Sequence, residues 1–151
     1  MRKTQAGFTL IELISVVVIL GILAAFAIPR FTGLETQARA AAVNGVAGSM
    51  RSGAALAHAL WVAAGNSPSS ITMESQAVTM NTTTGYPTAD TAGIAAVLQN
   101  LTGYTAGSSA SPTTYTLSLN GQTTTCTASY TLGSSPAAGQ APTIATTTTG
   151  C

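Results

Sequence analysis

At 151 residues, 46% hydrophobic and only 6% charged, the chain has room for one modest globular unit joined to a separate apolar segment, and not for two domains. Its formal net charge of +1 leaves no basic face on which to lay a nucleic acid. A GxxxxGKS phosphate loop, HExxH and CxxC metal pairs and a GxSxG elbow are missing from the sequence, and Glu74 and Asp90 stand alone, so no enzyme, metal or cofactor is predicted.

The chain opens with basic Arg2 and Lys3, followed by Gly7-Phe8-Thr9-Leu10-Ile11-Glu12. Residues 8–28 are nearly all apolar, and as a helix rising ~1.5 Å per residue they reach about 31 Å, enough to cross the hydrocarbon core of a bilayer. Glu12 is the only charge among them. A carboxylate in a membrane span costs on the order of 1–3 kcal/mol according to depth, so it calls for a cationic partner. A cut after Gly7 would supply one: the new amine of Phe8 is an ammonium, and in a bundle of such helices Glu12 of one copy can pair with the amine of another. Arg2 and Lys3 would hold that end in the cytoplasm by the positive-inside rule. Their removal leaves three basic and four acidic side chains plus the amine, a near-neutral chain with little repulsion between copies.

Two plainer readings compete for the same segment. A secretory signal would use Ala25-Phe26-Ala27 as its A-x-A site and release a chain from Ile28, but its apolar core should be only about 7–15 residues and has no use for a glutamate. A plain single-pass anchor leaves Gly7-Phe8 and Glu12 unexplained.

The run GFTLIEL followed by VVVILGILAAFAIP resembles the N-terminus of type IV pilins and of their relatives, the pseudopilins of type II secretion. The resemblance implies a leader of residues 1–7, of the short class, removed by a prepilin peptidase that cuts after Gly7 and methylates the amine of Phe8. It places Glu12 in subunit assembly and Gly21 and Pro29 where the helix bends or melts in the filament. Glycine is a poor helix former and proline removes a backbone donor, which agrees with that role. It further implies an inner-membrane precursor, a homo-oligomeric helical filament on the cell surface, and an assembly platform with its ATPase as partners. The fold implied is α+β, a long helix on a small antiparallel sheet. The PRF opening at Pro29 and the ALAHALW segment are similar to the major pilin of the mannose-sensitive haemagglutinin pilus.

Residues 29–66 read as a continuation of the helix, rich in alanine and poor in breakers. Phe31, Leu34, Ala38, Ala41, Ala42, Gly45, Ser49, Ser52 and Leu56 recur at steps of three and four, predicting a stripe of small residues on which a sheet or a neighbouring helix can lie. Glu35 and Arg39 fit an exposed i, i+4 pair worth a few tenths of a kcal/mol. His58 and Trp61 have no second histidine or carboxylate nearby in sequence, so packing near the helix end is the better reading than a site. Asn66-Ser67-Pro68 supplies turn residues that close the helix.

Residues 67–151 turn to Ser, Thr, Gly and Ala, the sheet-bearing part. A short strand is predicted at residues 77–80, and a helix over residues 91–101 from Ile94, Val97, Leu98 and Leu101, ending near Gly103. Tyr115, Leu117 and Leu119 alternate, as do Cys126, Ala128, Tyr130 and Leu132, with Asn120-Gly121 between them as a two-residue hairpin turn. The buried face of that hairpin is expected on the helix stripe. In an exported chain Cys126 and Cys151 should be bonded, and the resemblance implies the same: a disulfide-bounded loop exposed on the filament. With no CxxC motif, a redox role is the weaker reading. Asn81-Thr82-Thr83 and Asn100-Leu101-Thr102 fit the glycan acceptor pattern, which arises readily by chance in so threonine-rich a chain.

Three functions are compatible with these features. The first is a pilus subunit acting in surface attachment. The second is a minor pilin or secretion pseudopilin, against whose major form the lack of an acidic calcium-binding cluster weighs. The third is a membrane-anchored binding module that never polymerises.

Overall fold

The computed structural model describes residues 7–110, 113–119 and 125–151, with the backbone alone for residues 30–32 and 110. Its elements are a helix α1 (Leu10–Ala63), a hairpin β1 (Ser70–Met73) and β2 (Gln76–Thr79), a single helical turn α2 (Ile94–Val97), and four strands β3 (Tyr104–Ala110), β4 (Thr113–Leu119), β5 (Thr127–Leu132) and β6 (Thr143–Thr147). The class is α+β, as the sequence predicts. The chain divides into two units, Met1–Gln37 and Ala38–Cys151.

In the first unit the described chain is the start of α1. The helix runs without a break through Gly21 and through Pro29, whose ring nitrogen has no hydrogen to give the carbonyl of Ala25.

In the second unit, α1 buries Val43, Ala47, Met50, Ala54, Ala57 and Trp61. These recur at three and four residues, the spacing of one helical face. This corrects the stripe predicted from sequence. At about 100° per residue, Gly45, Ser49, Ser52 and Leu56 lie on the opposite face, and all four are exposed. Leu34, Ala41 and Ala42 of that stripe are exposed as well, and the side chain of Phe31 lies outside the described residues. The physical reason is area. The buried face carries valine, two bulky side chains in Met50 and Trp61, and close-packing alanines. The predicted stripe is broken by Gly45, Ser49 and Ser52 and so offers less apolar surface per turn despite Leu56.

The helix closes through the residue before the predicted turn. Gly65 takes φ +94° and Asn66 φ +58°. The Asn66 N–H donates to the Trp61 carbonyl at 3.2 Å and the Gly65 N–H to Val62 at 3.1 Å, the paired bonds of a Schellman cap. His58 and Trp61 pack, as expected: His58 stacks on Tyr86 with ring centroids 4.2 Å apart, its Nδ1 lies 2.8 Å from the Gly85 carbonyl oxygen, and Trp61 Nε1–H donates to the Pro68 carbonyl at 2.9 Å. Trp61 joins Ala57, Ile71, Val78 and Met80 in a small core under the β1–β2 hairpin.

The predicted strand at residues 77–80 is β2, with Met80 forming an isolated bridge to Pro87 just beyond it. The helix predicted over residues 91–101 shrinks to α2. Upstream, the Asp90 carboxylate accepts from the Ala92 and Gly93 N–H groups at 2.9 and 2.7 Å and fixes a turn; downstream, Leu98 is extended at φ −91°, ψ 119°. Ile94 and Ala95 are buried and Leu98 and Leu101 pack against the core, so the apolar spacing marks inward residues of an irregular segment.

The main sheet is an antiparallel meander in the order β3-β4-β5-β6. Tyr115, Leu117, Cys126, Ala128, Tyr130 and Leu132 are all buried against Val43, Ala47, Met50 and Ala54, so the predicted hairpin exists and its apolar face lies on α1. Each large side chain fully buried there contributes about 1.5–3 kcal/mol. Its turn is corrected. A two-residue turn at Asn120-Gly121 would set Tyr115 opposite Cys126, whereas Tyr115 pairs with Tyr130 and Leu117 with Ala128, and the connection spans residues 120–126. Asn120-Gly121 itself lies outside the described residues.

Candidate functional site

The candidate site is the start of α1. Gly7, Phe8 and Thr9 precede the helix, and Thr9 is its N-cap: Thr9 Oγ1 accepts the Glu12 N–H at 3.3 Å, while the Thr9 N–H and Oγ1–H donate to Glu12 Oε2 at 2.9 and 2.8 Å. This is a reciprocal capping box, which satisfies two donors that every helix start leaves open and puts a negative charge at the positive end of the helix dipole. Thr9 is the residue that the sequence reading missed. Its signal was present, since a threonine three residues before a glutamate at the head of an apolar run is the written form of that box.

Ser15 donates to the Ile11 carbonyl at 2.7 Å. Thr9, Glu12 and Ser15 are the polar side chains of residues 8–28, and each has a partner within its own helix. Bonding these side chains internally lowers the cost of entering hydrocarbon, where no water is available to bond them.

The apolar side chains are the opposite of a folded core. Phe8 is 93% exposed and Phe26 76%, and every large apolar side chain from Leu10 to Ile28 is at least half exposed. The helix is long and apolar enough to cross a membrane. At about 25 cal/mol per Å², bare apolar surface on this scale demands cover by lipid or by protein. Gly21 sits in this stretch with open space around it, so a side chain there would meet no neighbour within 4 Å. Arg2 and Lys3 lie outside the described residues.

Of the predicted site residues, Cys126 and Cys151 lie in the second unit. Cys126 and Cys151 are bonded, with Cα atoms 4.8 Å apart. The Gly150 N–H donates to the Thr125 carbonyl at 3.0 Å and ties the same end of the chain a second time. Among the described residues no group of three or more His, Cys, Asp or Glu side chains is placed to hold a metal.

The site is a long, exposed apolar helix that follows Gly7-Phe8 and carries one carboxylate in residues 8–28, Glu12. Residues 2–28 match the prokaryotic N-terminal methylation motif. Over 51 residues the chain is 55% identical to the type IV narrow pilus major component PilA5 of Thermus thermophilus, covering 34% of this chain and 44% of that protein. It is 47% identical over 51 residues to a type IV major fimbrial protein FimA of Dichelobacter nodosus, covering 34% and 33% of the two chains. Another fimbrial protein of that organism is 56% identical over 41 residues, 27% of this chain and 26% of the relative. The matches thus span less than half the length of these relatives. Solved structures offer no significant match.

Proposed function

We propose that this chain is the structural subunit of a type IV pilus, polymerised in many copies into a helical surface filament. The observation that carries the reading is the apolar helix of residues 8–28, exposed along its length with Thr9, Glu12 and Ser15 closed internally, on a chain that also carries a separately packed, disulfide-closed α+β unit. The methylation motif over residues 2–28 supports it.

In this reading prepilin peptidase cuts after Gly7 and methylates the amine of Phe8. The precursor waits in the inner membrane, and the assembly platform with its ATPase moves it from lipid to filament. Residues 8–28 exchange one apolar environment for another, residues 29–66 continue the helix, and residues 67–151 face outward. Glu12 sets registry by pairing with the Phe8 amine of a neighbouring copy. Gly21 and Pro29 are the points where the helix gives way on entering the filament, because neither helps to hold it. Attachment to surfaces, in the manner of the mannose-sensitive haemagglutinin pilus, is the cellular role that PRF and ALAHALW support.

Shearing cells and quantifying the chain in the released fibre fraction tests this. A pilus subunit is the abundant component of fibres visible by electron microscopy. A few copies per fibre would make it a minor pilin or pseudopilin, and a chain confined to membranes would end the reading.

A further inference from the structure

The sequence holds two Asn-x-Thr acceptor patterns, Asn81-Thr82-Thr83 and Asn100-Leu101-Thr102, and the fold gives them opposite settings. Asn81 is half-buried in a closed loop. Its Oδ1 accepts the Thr83 and Thr84 N–H groups at 3.0 and 3.1 Å, its own N–H donates to the Tyr86 carbonyl at 2.8 Å, and its carbonyl accepts the Gly85 N–H at 2.7 Å. The Thr83 carbonyl accepts the Gly139 N–H at 3.4 Å, which ties the loop to a distant part of the chain. Asn100 and Thr102 are both exposed, while Leu101 between them packs against the core. Among the described residues two hydrogen bonds hold this second segment. The Thr102 N–H donates to Asn100 Oδ1 at 2.8 Å, and the Tyr104 N–H donates to the Leu101 carbonyl at 3.0 Å. Neither uses the Asn100 amide nitrogen.

Asn100 also lines a groove of about 720 Å³ between α1 and the segment after α2. Ser52, Gln76 and Gln99 bring hydroxyl and amide groups to it, and Leu56 and Met73 bring apolar surface. A sugar ring has hydroxyls to offer the first set and C–H faces to lay on the second. We propose that Asn100 is an N-glycosylation site, that Asn81 is not, and that the first sugar lies along this groove. A transferase must take the acceptor asparagine into its own site and read the hydroxyl two residues on, so it needs an exposed segment that comes away without undoing the fold. Lifting residues 100–102 breaks the two hydrogen bonds named, whereas lifting residues 81–83 breaks five. In the reaction Asn100 Nδ2 attacks C1 of a sugar activated there as a diphosphate ester. The C1–O bond breaks, the diphosphate leaves with its electron pair, the C1–N bond forms and Nδ2 gives up one proton. On a chain only 6% charged, the hydrated cover supplies solubility that charge does not. The site does not rest on the pilus reading.

The test is mass spectrometry of the full-length chain taken from its own cells, intact and as proteolytic peptides. The peptide that contains Asn100 should be heavier than its sequence by whole sugar residues, and the one that contains Asn81 should match its sequence. The added mass should survive mild alkaline β-elimination, which strips sugars from serine and threonine and leaves those on an amide. Asn100→Asp keeps the oxygen that accepts the Thr102 N–H and removes the nitrogen that is glycosylated, so it should abolish the added mass. Thr102→Val should abolish it as well, and Thr102→Ser should keep it. Both variants retain the Thr102 backbone N–H, and formation of the Cys126–Cys151 bond reports that each chain has folded. A wild-type Asn100 peptide at its sequence mass, sugar that persists in Asn100→Asp, or sugar on Asn81 overturns the proposal. Fibres built from unmodified chains would defeat the glycan alone. A modified chain confined to membranes would defeat the pilus reading alone.

Discussion

Replacing Glu12 with glutamine separates two roles assigned to one carboxylate. Within its own helix Glu12 completes the capping box with Thr9, accepting at 2.9 and 2.8 Å. In the proposed filament it also neutralises the Phe8 amine of another copy. Glutamine can still close the box, so Glu12→Gln keeps the helix start and removes only the counter-charge. Breaking a buried pair by removing one partner costs about 3–5 kcal/mol, because the other charge stays behind unpaired. At ~1.4 kcal/mol per decade the lower figure already corresponds to about a hundredfold. Thr9→Val does the reverse: it removes a cap worth about 1 kcal/mol, roughly fivefold, and leaves the charge in place. The expected order of sheared fibre per unit of processed subunit is therefore wild type, then Thr9→Val, then Glu12→Gln, with Glu12→Ala and Glu12→Val lowest because they lose both functions. Immunoblots of sheared and membrane fractions measure it, with the processed subunit serving as the folding control. Wild-type fibre yield from Glu12→Gln would refute the ion pair and leave Glu12 as a cap alone.

Three further outcomes follow from the second unit. The Cys126–Cys151 bond spans 25 residues of sequence. In the chain-entropy model such a loop is worth about 3.5 kcal/mol, so Cys126→Ser with Cys151→Ser should lower the detergent-solubilised chain's melting temperature by several degrees, and an unchanged Tm would contradict that. The two buried tyrosines should respond in opposite ways. Tyr130 donates its hydroxyl to the buried Pro87 carbonyl at 2.8 Å, so Tyr130→Phe strands an acceptor at a cost of about 1–3 kcal/mol; the Tyr115 hydroxyl is buried without a partner among the described residues, so Tyr115→Phe should be neutral or stabilising in chemical denaturation. Burial, and secondarily the charge of Tyr86, also pushes the Tyr130 hydroxyl above its usual range. A raised tyrosine pKa means that the unfolded chain loses its proton first, so this stabilisation is complete below about pH 10 and is lost as pH rises beyond it. Alkaline unfolding followed by tyrosinate absorbance should show that slope, and Tyr130→Phe should flatten it.

The sequence reveals those parts of the fold in which side-chain area follows a period. Residues 8–28 are a nearly continuous apolar run and lie on one helix from Leu10, and the alternating Tyr115, Leu117, Cys126, Ala128, Tyr130 and Leu132 are buried where their period puts them. The face of α1 was not legible in the same way, because small residues recur at helical spacing on both sides. Only Val43, Met50 and Trp61 break the tie, by size. β3 and β6 were invisible, since YTAGSSA and TIATT carry little apolar area and gain their strand state by pairing with neighbours. At the candidate site Glu12 stood out as a charge among apolar residues, while Thr9 was hidden by reading its neighbours for hydrophobicity rather than for hydrogen bonding.

The central claim is that the chain is processed at Gly7-Phe8 and exported into a fibre through its apolar helix. Intact mass and N-terminal sequence of the chain from sheared surface material, with and without reduction, test it most directly. The account predicts a chain that begins at methylated Phe8 and gains two hydrogens on reduction of the Cys126–Cys151 bond. A chain beginning at Ile28, or an uncut Met1 chain found only in membranes, would contradict it.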